Sequence, residues 1–296
     1  MTYSIVARDR QTGELGVAVQ SHWFSVGPIV PWALAGVGAV ATQANAEVSY
    51  GPRGLELMRQ GMDAQRALAQ LLSEDPGASS RQVAMVDAHG VVAAHTGSGC
   101  IAFAGHATGD GVSCQANIMA GEGVWPAMLE TYTATAGSLT QRLLAALDAA
   151  ELAGGDLRGK QSAAIAVVPA AGNPWESVIS LRVEDDPDPL PELRRLARLH
   201  EAYSIAGEAD ELAGTARPDE AASLYLRASE LAPENHELRF WAGLGAAQAG
   251  DLEAGVEHVR AALELQPNWR ELLRRLAPEL APSAPTVLAR LQELDR

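Results

Sequence analysis

The sequence predicts an α+β fold followed by an all-helical repeat region, on three observations. Over residues 1–183, β-like runs and amphipathic helical stretches come in groups: strands, helices, strands, helices, strands. Such grouping favours sheets covered by helices over a strictly alternating parallel sheet. At Glu184-Asp185-Asp186-Pro187-Asp188-Pro189 the composition turns abruptly acidic and proline-rich. Beyond it, Ala228-Ser229-Glu230-Leu231-Ala232-Pro233 returns as Ala262-Leu263-Glu264-Leu265-Gln266-Pro267, the two prolines 34 residues apart. A chain of 296 residues suits two domains.

Residues 2–8 and 14–21 are β-like runs joined by the polar turn at Asp9-Arg10-Gln11-Thr12-Gly13, which predicts a hairpin. Side chains alternate along a strand, so Thr2, Ser4 and Val6 share a face. Residues 36–44 carry little charge and read as a buried strand. Helical patterns follow at 52–60 and 63–74, with Leu55, Met58, Ala67, Leu68, Leu71 and Leu72 as their apolar stripes. Runs at 82–87 and 91–96 flank Ala88-His89-Gly90, a second hairpin signal, and 112–118 is a further strand. Helices are expected at 124–134 and 138–152, and last strands at 162–168 and 177–183. The acidic segment cannot continue a strand, so 184–199 is expected to be a linker and the start of a helix.

Residues 200–296 are expected to be helical throughout. The 34-residue spacing is that of tetratricopeptide repeats. In that register Ala221, Tyr225 and Ala228 correspond to Gly255, Val259 and Ala262, and Gly243 to Ala209. The region resembles two such repeats over about 202–269, with Glu208 breaking the pattern of the first helix and a capping helix at 270–296. Stacked helix pairs offer a surface for a protein or peptide partner, or serve to dimerise the chain.

The formal net charge is −15, which gives no general attraction for phosphate backbones or anionic lipid, so neither nucleic acid nor a membrane is an expected partner. The apolar run at 26–46 is broken by Pro28, Pro31 and several glycines, and lacks the ~20 helix-compatible apolar residues of a membrane span. With no signal-peptide pattern at the start, a cytoplasmic protein is expected. Cys100 and Cys114 make neither a disulfide framework nor a metal site. His22, His95 and His106 lack the spacing of common zinc motifs, and neither a GxGxxG turn opening a helix nor a P-loop is present. No cofactor is expected.

Thr2 begins the first strand, behind an initiator methionine that is ordinarily removed before so small a residue. A freed Thr2 would carry a hydroxyl and an α-amine on one residue, a nucleophile with its own base. Taken alone, Thr2 reads more simply as a β-branched strand former. The wider pattern bears on this choice. Thr2-Tyr3-Ser4-Ile5-Val6-Ala7-Arg8-Asp9, Gly16-Val17-Ala18-Val19-Gln20-Ser21, Val30-Pro31-Trp32-Ala33 and Gly36-Val37-Gly38-Ala39-Val40-Ala41-Thr42-Gln43 are followed by Tyr50-Gly51-Pro52-Arg53-Gly54, Thr96-Gly97-Ser98, Gly105-His106 and Gly159-Lys160-Gln161-Ser162-Ala163-Ala164. Together these resemble domain-of-unknown-function family 1028 over roughly residues 2–190. The resemblance implies the four-layer αββα sandwich of N-terminal nucleophile hydrolases, with Thr2 as nucleophile and an amide or ureido-type compound as substrate.

Supporting roles are expected as follows. Ser21 and His22 end the second strand beside Thr2, or are an ordinary strand end. Lys160, the single lysine, would lower the amine pKa or hold an oxyanion, or would lie solvated in its Gly-Lys-Gln turn. Thr42, Asn45 and Asn117 are polar residues in apolar runs, expected to hydrogen-bond substrate or backbone. Arg53 would bind a substrate carboxylate, or pair with Glu47 or Glu56. Glycines 36, 38, 97 and 99 would allow close backbone approach at an oxyanion, or merely form turns. A homodimer is expected of such a sandwich. The competing reading is a non-catalytic binding domain whose repeats recruit a partner.

Overall fold

The computed structural model describes residues 2–213 and 217–296. Two compact units divide at Met1–Arg194 and Arg195–Arg296.

The first unit is mixed α/β with two antiparallel sheets. In chain order it contains β1 (Thr2–Arg8), β2 (Leu15–Ser21), β3 (Pro31–Leu34), β4 (Gly38–Ala44), α1 (Tyr50–Arg59), α2 (Ala64–Glu74), β5 (Arg81–Asp87), β6 (Val92–Thr96), β7 (Gly105–Gly109) and β8 (Val112–Asn117). It continues with α3 (Val124–Ala134), α4 (Leu139–Leu152), β9 (Ser162–Val168) and β10 (Ile179–Val183). One sheet has the order β10-β9-β2-β1-β8-β7, and the other β3-β4-β5-β6. The β1–β2 hairpin pairs Thr2 with Ser21, and β8 pairs Asn117 with Thr2 on the other side. Thr2 therefore starts a strand flanked on both sides.

Alternation sends successive residues of β1 in opposite directions. Val6, Val17 and Val19 meet Ala39, Ala41, Ala84 and Val86 of the second sheet in an apolar core between the sheets. Tyr3, on the opposite face, reaches Glu151 of α4. Helices α3 and α4 pack on the outer face of the larger sheet, α1 and α2 on that of the smaller. Under α1 and α2, Tyr50, Leu55, Leu68 and Leu71 close on Val40, Val83 and Met85. The helix starts are legible in their caps. Asp63 accepts from the Arg66 N–H, and Ser138 with Gln141 closes a capping box on α4.

Two strands were not foreseen, β3 and β7. Both are sheet edges. An edge strand pairs on one side only, so it need not show a two-sided apolar pattern and tolerates a leading proline such as Pro31.

The expected linker is non-helical at residues 184–188, after which α5 runs Pro189–Ala213. The second unit holds α6 (Pro218–Leu231), α7 (His236–Gln248), α8 (Leu252–Leu265), α9 (Trp269–Arg275) and α10 (Ala284–Leu294). Its apolar clusters join Ile205, Ala209, Tyr225 and Ala228, and then Phe240, Val259, Leu273 and Val287. The expected single capping helix at 270–296 is two helices. Pro278 and Pro282 intervene, and a residue before proline is pushed out of helical geometry. Among the described residues no helix is long and apolar enough to cross a membrane.

Candidate active site

Between the two sheets, the apolar core gives way at one end to a network of neutral polar side chains. The Thr2 hydroxyl lies 2.9 Å from that of Ser21. The Thr2 carbonyl accepts from the side-chain amides of Gln43 at 3.2 Å and Asn117 at 3.4 Å. Both amides also donate to Gln82 Oε1, at 2.7 and 2.9 Å. Ser4 donates to Gln43 Oε1 at 2.6 Å and accepts from Gln115 at 2.6 Å. Ser113 in turn donates to Gln115 Oε1 at 2.9 Å. Gln82 Nε2 reaches Thr96 Oγ1 at 2.9 Å, and the Thr96 hydroxyl lies 2.9 Å from His106 Nδ1.

All members from Thr2 to Asn117 except Thr96 and His106 are buried, and Thr2 itself is 5% exposed. A buried amide stabilises only when its donors and acceptors are met, and both ends of Gln43, Gln82 and Gln115 have partners. Burial and the neighbouring His95 push the His106 pKa down, which favours its neutral form. A groove of about 430 Å³ between α2, β6 and β7 takes His106 and Thr108 into its walls, with Leu68, Leu72, Val92 and Ala94. Thr2 is not among those walls.

The backbone around Thr2 is unusual. The non-glycine residues with positive φ among those described are Ser25 (54°), Ala44 (67°) and Ile118 (56°). Ala44 ends β4, Ile118 follows Asn117, and Ser25 lies on the loop that leaves Ser21. L-residues adopt this region at a cost, most of all a β-branched one, and such positions concentrate at functional sites.

Of the residues singled out from the sequence, Thr2, Ser21 and Asn117 are joined by strand pairing and hydrogen bonds, and the others bond other partners. Lys160 lies with its ammonium 2.5 Å from Asp188 and 3.9 Å from Glu151, the carboxylate that Tyr3 meets on the opposite face of the sheet from the Thr2 hydroxyl. The hydrogen bond to Asp188 and its charge raise the Lys160 pKa, so this lysine is held as a cation. His22 turns its ring to the Lys160 carbonyl at 3.4 Å. Thr42 donates to the Glu47 carbonyl at 3.0 Å, on the α1 side of its sheet. Asn45 is exposed and donates to Ser80. Arg53 pairs with Glu74, neither of the partners expected, because α2 lies alongside α1.

Gly97 is explained by packing rather than by an oxyanion, since a Cβ there would fall 2.2 Å from the Ser79 carbonyl oxygen. Among the described residues no group of three His, Cys, Asp or Glu side chains is placed to hold a metal. Removal of Met1, on which a free Thr2 amine depends, lies outside the described residues.

The glutamines are what sequence reasoning missed. Gln43, Gln82 and Gln115 each occupy a strand position whose alternation partners are Ala41, Ala84 and Ser113, facing inward. That two-residue spacing from a buried neighbour was the available signal.

Comparison with known proteins places this site in context. Residues 2–193 match a family of unknown function, DUF1028. The chain belongs to the DUF1028 family. A crystal structure of protein SPO2555 from Silicibacter pomeroyi, also of DUF1028, is similar at 33% sequence identity and a TM-score of 0.61. The likeness covers 67% of this chain and 88% of that one. No curated protein matches.

Proposed function

We propose that this DUF1028 chain is an N-terminal-nucleophile amidohydrolase, cleaving an amide or ureido-type C–N bond through Thr2 once Met1 has left. The observation that carries the reading is the placement of Thr2 itself. It starts an inner strand, its hydroxyl meets Ser21, and two amides fix its carbonyl. Two antiparallel sheets between helix pairs support the four-layer αββα sandwich of that hydrolase class. The strained residues Ala44 and Ile118 beside it support a functional site.

In the proposed reaction the α-amine of Thr2, a group that titrates at about 8, takes the hydroxyl proton. Oγ1 then bonds to the substrate carbonyl carbon. The C–N bond breaks as the leaving nitrogen takes that proton, and an acyl ester remains on Thr2. Water, deprotonated by the same amine, then bonds to the ester carbon; the C–Oγ1 bond breaks, Oγ1 takes that proton and the acid leaves. Ser21 acts by orienting the Thr2 hydroxyl. The proposed setting is the cytoplasm. The helical unit is proposed to be tetratricopeptide-like and to bind a protein or peptide or to pair two copies, supported by the close approach of Gly243 to Gly255.

The test is a screen of amide and ureido compounds against wild-type, Thr2→Ser and Thr2→Ala proteins. Thr2→Ala is expected to lose turnover by about 10³-fold or more, as nucleophile removal does elsewhere. Unchanged turnover in Thr2→Ala overturns the proposal.

A second reading is a non-catalytic binding domain, favoured by the neutrality of the groups bonded to Thr2. It expects a partner to co-purify from the native host and Thr2 to resist a carbonyl electrophile. Covalent trapping of Thr2 with no partner recovered contradicts it.

A further inference from the structure

Large apolar side chains stand exposed on both sides of Thr2. On the β2 side, Trp23 and Phe24 follow Ser21 and are 56% and 63% exposed. The Trp23 carbonyl accepts from Ser162, whose strand position pairs with Ser21, so the turn is tied to the end of the sheet. On the β8 side, Ile101 and Phe103 are 64% and 44% exposed. Their carbonyls accept from the N–H groups of Ile118 and Met119, the residues that follow Asn117. The same loop is anchored at the other sheet, where Gly97 donates to the Arg81 carbonyl of β5 and Gly99 to that of Ser79 just before it. Thr2 pairs with both Ser21 and Asn117, so each apolar pair is anchored within about 10 Å of it on strand spacing.

Phenylalanine is scarce, at three in the chain, and two of the three stand here. Exposed apolar clusters of this kind mark binding surfaces. Three cations of this unit are held in ion pairs. Arg81 pairs with Asp75, Arg158 with Asp156 and Lys160 with Asp188. The groups bonded to Thr2 are a hydroxyl and two carboxamides. A site with neutral polar groups at its centre and aromatic lips is suited to an uncharged amide carrying an apolar body.

We infer that the Thr2 site takes a neutral amide bearing a bulky aliphatic or aryl group, seated between the Trp23–Phe24 turn and the Ile101–Phe103 loop. The inference rests on the Thr2 hydrolase reading.

It is tested with two β-lactones, one bearing a methyl and one a hexyl group, on full-length protein shown by mass to lack Met1. Attack by Thr2 Oγ1 on the lactone carbonyl forms an ester and breaks the ring C–O bond. The released alkoxide takes the hydroxyl proton, and every probe atom stays in the adduct. Labelling rates are normalised to a short peptide beginning Thr-Tyr-Ser. The hexyl lactone is expected to label Thr2 about tenfold faster than the methyl one, part of what full burial of the added methylenes would give. Trp23→Ser and Phe103→Ser should each bring that ratio towards one, whereas Leu280→Ser, an exposed apolar position of the second unit, should keep it. Phe103→Trp should restore the preference. Equal rates for both lactones at a labelled Thr2, or a ratio untouched in Trp23→Ser and Phe103→Ser, overturn the inference and leave the nucleophile standing. Failure of both lactones to label Thr2 overturns the nucleophile and the inference with it.

Discussion

At the scale of residues, the neighbourhood of Thr2 is a chain of matched neutral amides, and Gln82 is its junction. It accepts from Gln43 and Asn117 and donates towards Thr96 and the carbonyls of Gly105 and Ala116. Gln82→Leu would strand these groups in the interior. It is expected to cost about 2–4 kcal/mol in urea unfolding, since each stranded buried partner carries its own desolvation penalty. A loss near zero would mean that water replaces the side chain.

A second residue-scale prediction concerns acid. Hydrogen bonds from Arg81 first, then from the Gly77 N–H, lower the Asp75 pKa to about 2. The folded value lies below the unfolded one of about 3.9, so the unfolded chain binds more protons between them. The Asp75 contribution is therefore complete above about pH 4 and is lost as pH falls towards 2. Asp75→Asn should flatten the wild-type loss of stability across that window in pH-dependent unfolding, and an unchanged slope would contradict it. Thr2 and Ser21 were legible because they bound strand ends in a hairpin pattern, and Asn117 because it is a polar residue in an apolar run. Arg53 and Lys160 were not, because an ion pair between distant segments leaves no local trace in a sequence.

At the scale of elements, the hydrophobic period gave the inner strands, the edge strands β6 and β10, and the paired helices. It gave no sign of β3 and β7, which lie at the edges and carry Pro31, Gly105 and Gly109. The break between α9 and α10 was written in Pro278 and Pro282 and was overlooked under the expectation of one capping helix. The helix pair α7–α8 depends on small residues where the backbones meet. A Cβ on Gly243 would fall 2.6 Å from the Gly255 carbonyl oxygen and 2.9 Å from the Val259 nitrogen, both backbone atoms. Gly243→Ala gains about 1 kcal/mol of helix propensity but must part the two helices. A net destabilisation of about 2 kcal/mol is expected in the thermal unfolding of the chain. A stabilised variant would show that the helices are not in this contact.

At the scale of the whole molecule, the acidic proline-rich segment marked where sheet composition ends, while α5 carries helix across the division at Arg194 and Arg195. The grouped order of elements was enough to expect sheets covered by helices. It could not reveal the strand order β10-β9-β2-β1-β8-β7, because pairing between strands far apart in sequence depends on which faces bury together. That order sets Thr2 between Ser21 and Asn117, and the proposed chemistry depends on it. The most direct measurement is intact-mass and peptide mapping of protein from its native host, before and after treatment with a reactive β-lactone. The account predicts a chain that begins at Thr2 and takes up one lactone, mapped to Thr2. A chain that keeps Met1 while active, or a lactone that maps elsewhere in a chain that has lost it, would contradict the account.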